Sequence, residues 1–232
     1  MFLRKIATAQ AHRPNVVGVI DSPHALEAAI KLQTGEVDLL EIRVDSFADR
    51  ESKLLEALPS LSHPLIITVR HHQEGGAHTL SAARRRELFH QFLPHAEMID
   101  VELRSLESLS DVIDEARASK VKLIHSYHNF QFTPTDARLY ELGRRSLLAK
   151  ADVFKLATQT NTPTDLARLL TFLSKHKRIH IGIMGMGRFG KVSRLVLAQA
   201  GSVLNYGYLD KPGVSGQWSA LELKKRIGEL TE

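Results

Sequence analysis

The sequence predicts an α/β protein in which eight parallel strands close into a (β/α)8 TIM barrel, and three observations carry that prediction. Short apolar or β-branched runs recur about every 25 residues, the spacing of repeated strand–helix units. Stretches of helical periodicity separate those runs. No Pro/Gly/Ser-rich linker interrupts the alternation. Strands that alternate with helices make a parallel sheet. Eight such units within 232 residues favour closure over an open, doubly wound sheet.

The elements follow in order. Strands are predicted at 15–20, 38–44, 65–70, 98–103, 122–128, 153–158, 180–184 and 202–208. The first helix is read from Ala25, Leu26, Ala28, Ala29, Ile30 and Leu32, which recur at helical spacing. Another begins at Ser81, with Glu87 and Leu88 following. Pro134 favours the first turn of a third, because its fixed φ suits a position whose N–H has no helical partner. Thr162-Pro163 opens a helix that carries Leu166, Leu169, Leu170 and Leu173, and the last covers 220–230. Residues 1–13 precede the first strand and are read as a short extension covering the barrel bottom, so that 1–232 forms a single domain.

Composition narrows the function classes. A hydrophobic content of 43% and a charged content of 25% are those of an ordinary globular protein. The absence of cysteine excludes a disulfide framework, a thiolate metal site and a cysteine nucleophile, and it suits a reducing cytoplasm. No stretch has the length of a membrane span or the apolar core of a signal peptide. The net charge of +5 suits either nucleic acid or a small acidic substrate. The positive residues are dispersed apart from Arg84-Arg85-Arg86, which reads as a solvated helix face, so nucleic acid is not expected as a partner.

Chemistry in a parallel barrel sits at the C-terminal ends of the strands. The second strand ends Glu41-Ile42-Arg43-Val44-Asp45, and alternation puts its three charges on one face. The third ends in Arg70, the fourth in Glu102-Leu103-Arg104, the fifth in His125-Ser126-Tyr127-His128, and the sixth carries Lys155 within Val153-Phe154-Lys155-Leu156-Ala157. A lysine among apolar neighbours must find a partner or shed its proton, and a neutral buried amine attacks carbonyls. His128 suits proton transfer near neutral pH. His125, an odd number of positions away, faces the other side of the strand. Arginines suit a hydroxylated carboxylic acid, since a guanidinium forks onto a carboxylate. The histidines show no metal-ligand spacing.

One motif points elsewhere. Gly185-Met186-Gly187-Arg188-Phe189-Gly190 matches a dinucleotide fingerprint, and Asp210 lies 20 residues beyond it. Too little chain follows for the rest of a nucleotide-binding half-sheet, and 202–208 reads as the last barrel strand. These glycines are expected to let loop backbone approach a ligand, with a phosphate grip as an alternative use. An NAD(P) oxidoreductase and a phosphate-gripping lysine-imine aldolase thus remain as rival readings.

Six stretches, in order over nearly the whole chain, resemble type I 3-dehydroquinate dehydratases of the shikimate pathway. They are Glu41 to Asp45, Arg70 with Glu74-Gly75-Gly76, Ser126-Tyr127-His128, Lys155-Leu156-Ala157-Thr158, Gly190 to Arg194, and Gly216-Gln217. The resemblance implies a (β/α)8 lyase that removes water from 3-dehydroquinate to give 3-dehydroshikimate. It implies a Schiff base at Lys155, general acid/base catalysis by His128, and a carboxylate, Glu74, paired with that histidine. It implies substrate binding by Glu41, Arg43, Arg70, Arg194 and Gln217, with Arg194 on the carboxylate and with Met186 and Tyr206 as walls. It further implies a cytoplasmic homodimer that needs no metal and no cofactor. Two positions depart from the family's pattern. Gly213-Val214-Ser215 replaces a serine-alanine-proline run, and Gly18 stands where many members have a serine on strand one.

Overall fold

The computed structural model describes residues 14–176 and 178–231. Among them eight parallel strands alternate with eight α-helices. They run β1 (Asn15–Ile20), α1 (Pro23–Ile30), β2 (Leu39–Arg43), α2 (Glu51–Ala57), β3 (Leu65–Thr68), α3 (Ala82–Phe92), β4 (Met98–Glu102), α4 (Ser110–Ala118), β5 (Lys122–Asn129), α5 (Asp136–Leu148), β6 (Val153–Gln159), α6 (Pro163–Lys175), β7 (His180–Met186), α7 (Gly190–Gln199), β8 (Leu204–Tyr208) and α8 (Ala220–Thr231). The hydrogen-bonded order is β7-β6-β5-β4-β3-β2-β1-β8. The β7–β8 seam closes the barrel through Val203 N–H donating to the Ile181 carbonyl at 2.9 Å and Ile183 N–H donating to Ser202 Oγ at 2.9 Å. The predicted (β/α)8 barrel is the fold observed. The predicted extension at 1–13 lies outside the described residues.

Alternation along each strand divides the core in two. Outward residues such as Leu40, Ile42, Ile67, Ile99 and Val101 pack under the helices, as do Phe154, Leu156, Ile181 and Ile183 on the far side. Inward residues Val17, Leu39, Ile66, Met98, Ile124, Val153 and Leu204 form an apolar floor. Two residues further along five of these strands the inward position turns polar: Glu41, Thr68, Asp100, Ser126 and Lys155, all buried. The same period that fills the barrel therefore builds the site on top of the filling.

Helix starts follow capping chemistry. Ser22, Ser81 and Thr135 each accept a backbone N–H three residues on, satisfying a donor the helix leaves free. Thr162 and Asp165 cap each other reciprocally at the start of α6. Two strands end earlier than the sequence suggests, because a 3-10 turn follows at once. Residues Val44–Phe47 after β2 and Leu103–Ser105 after β4 are such turns. Asp45 and Arg104 consequently leave the strand alternation, and Arg104 is exposed.

Candidate active site

The eight residues that the resemblance assigns to catalysis or substrate binding all line one cavity of about 340 Å³ at the C-terminal mouth of the barrel. Lys155 rises from the middle of β6, and its ammonium donates to Glu41 Oε1 and to Asp100 Oδ2, each at 2.9 Å. It lies 3.8 Å from the centre of the Tyr206 ring, on the electron-rich face. Of the two ways to accommodate a buried lysine, this chain uses partners: carboxylates on β2 and β4 reach across the barrel to it.

Ser126 pairs with Lys155, and His128 with Ala157, in the β5–β6 ladder. His128 therefore stands two residues further toward the mouth on the same inward face, within diagonal reach of the lysine. Its Nδ1 lies 3.0 Å from Glu74 Oε2, which also accepts the His128 backbone N–H at 2.9 Å. With Nδ1 engaged, Nε2 is the remaining ring nitrogen. Burial, then the cations Arg70 and Lys155, push the imidazole well below its usual range, so it is neutral near pH 7. Burial, then the nearby Glu102, raise the Glu74 carboxyl to about 7.

The Glu74 loop is itself held in place. Arg43 donates to Asp45 through Nε and Nη2 at 2.9 and 2.7 Å, and Nη2 also reaches the Gly75 carbonyl at 2.8 Å. Asp45, fully buried, further accepts the backbone N–H groups of Arg70 and Ala77. Gly75 has φ +86, a backbone conformation that favours glycine, while a Cβ there would meet only the tip of the half-exposed Phe130 ring, which can swing aside.

Arg70 is buried among carboxylates. It forks onto Asp100 at 3.0 and 2.8 Å and donates to Glu102 at 3.1 Å and to Ser126 Oγ at 2.7 Å. Burial alone raises Asp100, but Arg70 and then Lys155 outweigh it and hold that carboxyl well below the usual range. Asp100 is thus the hub of the site, and it was not singled out in the sequence. Its signal was present, since Asp100 and Glu102 are i, i+2 on β4 and share the inward face.

Arg194, from α7, is buried and has no acidic partner among the described residues. It donates to the carbonyls of Tyr206, Gly185, Gly190 and Gly216 at 3.1, 2.6, 3.2 and 2.9 Å. Burial without a counter-charge lowers it to about 10. Gln217 Oε1 accepts the Gly213 N–H at 3.0 Å, so the loop after β8 folds back onto itself at the cavity rim.

The fingerprint glycines serve packing. A Cβ on Gly190 would lie 2.5 Å from the Gly216 carbonyl oxygen, and Gly187 N–H donates to the Ser215 carbonyl at 2.9 Å. These glycines bring the β7–α7 turn against the loop after β8, and the nearby carbonyls hold a guanidinium. Of the two departures noted above, the one at Gly18 does not reach the cavity. A side chain there would meet Leu209 and Leu40 on the outer face, while Val19 and Asp21 supply the inward positions. Val214, not Ser215, lines the rim. His125 also faces outward; it is buried between α4 and α5, and desolvation, then Arg117, lower it to about 4.

A parallel barrel that gathers a lysine, a histidine, carboxylates and arginines at its strand ends is a (β/α)8-barrel enzyme. The sequence profile of the type I 3-dehydroquinase family matches residues 17–230. The chain belongs to the type I 3-dehydroquinase family. It is 34% identical over 200 residues to a 3-dehydroquinate dehydratase of Hydrogenobaculum sp., covering 84% of this chain and 90% of that protein. The Aquifex aeolicus 3-dehydroquinate dehydratase is 32% identical over 218 residues, covering 91% and 97% of the two chains. A crystal structure of the type I enzyme from Clostridium difficile, with covalently modified comenic acid, superposes with a TM-score of 0.85 at 26% identity. That superposition covers 95% of this chain and 93% of the other.

Proposed function

We propose that this protein removes water from 3-dehydroquinate through a Schiff base on Lys155, with His128 as general acid and base. The observation that carries the reading is the sharing of one cavity by an amine and an imidazole on adjacent strands, with the amine gripped by Glu41 and Asp100. The reaction runs in balanced steps. Lys155, once deprotonated, adds to the substrate ketone, and the carbinolamine loses water to give an iminium. The cation acidifies the neighbouring carbon, and His128 takes a proton from it to leave an enamine. The enamine expels the β-hydroxyl, which leaves as water with the proton His128 returns. Hydrolysis of the product iminium then frees Lys155. Covalent catalysis replaces one difficult elimination by easier steps.

The remaining residues bind. Arg194 lacks a protein anion, so the substrate carboxylate is the anion it suits, with Gln217 beside it. Glu41, Arg43 and Arg70 present acceptors and donors to the substrate hydroxyls, and Glu74 fixes the ring orientation of His128. The test is reduction in the presence of substrate. Borohydride should add the mass of a reduced adduct to the Lys155 peptide, and Lys155→Ala should fold yet neither trap nor turn over. Full inactivation with an unmodified Lys155 peptide would overturn the proposal.

A further inference from the structure

Arg85 lies in the outer helix α3, yet its side chain is as buried as the site itself. The solvated face expected of Arg84-Arg85-Arg86 holds for Arg84 and Arg86, which sit at the surface with exposed acidic partners, and fails for Arg85. Arg85 instead points under the barrel wall. It donates to the Val69 carbonyl at 2.9 and 2.7 Å, to Ser105 Oγ at 2.9 Å and to Glu102 Oε2 at 2.6 Å. The other oxygen of Glu102 accepts from Arg70, Arg70 forks onto Asp100, and Asp100 accepts from Lys155. Charges alternate along this buried chain: Arg85, Glu102, Arg70, Asp100, Lys155 and Glu41. Its positive and negative members balance only while residue 155 carries a positive charge, as ammonium or as iminium.

We propose that Arg85 is a positioning residue that sets the charge balance felt by Lys155, and so the pH at which the amine becomes available. This inference rests on the Schiff-base reading of Lys155. Removing a buried cation leaves the cluster negative and favours the ammonium; removing Glu102 leaves it positive and favours the free amine. The groups facing Lys155 are Glu41 from β2, Arg70 after β3, Asp100 from β4, His128 from β5 and Tyr206 from β8, while β7 offers only Gly182 in register. Beside Arg85 stand its ion-pair partner Glu102 and His71, whose imidazole burial, then Arg104 and Arg85, lower.

The experiment compares the ascending limb of kcat/KM against pH in wild type, Arg85→Met, Arg85→Lys, Glu102→Gln and the double variant R85M/E102Q. Arg85→Met should move the limb up by on the order of one pH unit, an about tenfold loss at neutral pH, because one buried charge is removed at moderate range. Glu102→Gln should move it the opposite way. Arg85→Lys and the double variant, which restore the balance, should return it toward wild type. If Arg85→Met does not fold, the shift in Glu102→Gln and its cancellation in the double variant decide the matter. Shifts of the same sign in Arg85→Met and Glu102→Gln, or an unmoved limb in Glu102→Gln, would overturn the inference. Borohydride trapping on wild type separates the two levels: no adduct at Lys155 removes the Schiff base, whereas an adduct with unmoved profiles removes only the role of Arg85.

Discussion

At the scale of single residues the Glu74–His128 pair makes the sharpest statements. Burial raises Glu74 from an ordinary 4.5 to about 7, so the folded protein holds that proton more tightly than the unfolded chain. The associated stability is present below pH 4.5 and is lost as pH rises toward 7, up to about 3 kcal/mol at 1.36 kcal/mol per pK unit. Glu74→Gln removes this dependence. The difference in Tm between variant and wild type should therefore become more favourable to the variant from pH 4.5 to 8, by roughly 6–12 °C at 2–4 °C per kcal/mol. His128 has the opposite sign: its pKa is depressed, so its contribution is present above 6.5 and fades as pH falls. His128→Ala should still yield the reduced adduct at Lys155 while kcat drops by about 10²–10⁴, the usual share of a general acid/base. Wild-type turnover in that variant would remove His128 from the chemistry. Arg194→Ala should raise KM at least tenfold, on the order of one charge-assisted hydrogen bond. It should also lower Tm, because four backbone carbonyls lose their donor. An unchanged KM would argue against carboxylate recognition there.

At the scale of elements, the turn after β7 and the loop after β8 act as one unit. Gly190 and Gly216 are in backbone contact, and Arg194 stitches both to the strand ends. A methyl group on Gly190 meets main chain rather than a flexible side chain, so the loop must move. That loop carries Gly213, Val214 and Gln217 to the cavity rim. Gly190→Ala should accordingly raise KM more than it lowers kcat, with the imine still trapped; a KM equal to wild type would show that the loop's position is set elsewhere. The β5–β6 pair is the contrasting case. The backbones of His128 and Lys155 are placed by ladder register, two residues apart on a continuous run of parallel pairing, before Glu74, Glu41 and Asp100 orient their side chains.

At the scale of the whole molecule the barrel closes at a seam with few backbone bonds. Ser202 Oγ takes the Ile183 N–H and also donates across β7 and β8. Ser202→Ala strands a buried donor, a cost of about 1–3 kcal/mol. The fall in Tm should be roughly 2–12 °C, and an unaltered melting curve would mean that the seam relaxes around the loss. The homodimer remains a proposal from family resemblance, and sedimentation equilibrium would decide it.

Much of this is legible in the amino-acid sequence. The strand–helix alternation specified the barrel, because the period of side chains along a strand is fixed at two and that along a helix at 3.6. Lys155, His128 and the arginines of the strand ends could be read for the same reason. What the sequence left open lies where local period stops governing direction. Asp45 returns to Arg43 from a 3-10 turn, and Arg85 dives beneath the wall from a helix whose neighbours face water. Glu102 and Asp100 turn isolated charges into one balanced chain. Sequence alone thus determined which strands exist and which face each residue within them takes. Only the tertiary structure decided which charges of the site neutralise which, because that pairing depends on distances across the barrel, as between Lys155 and Glu41, 114 positions apart.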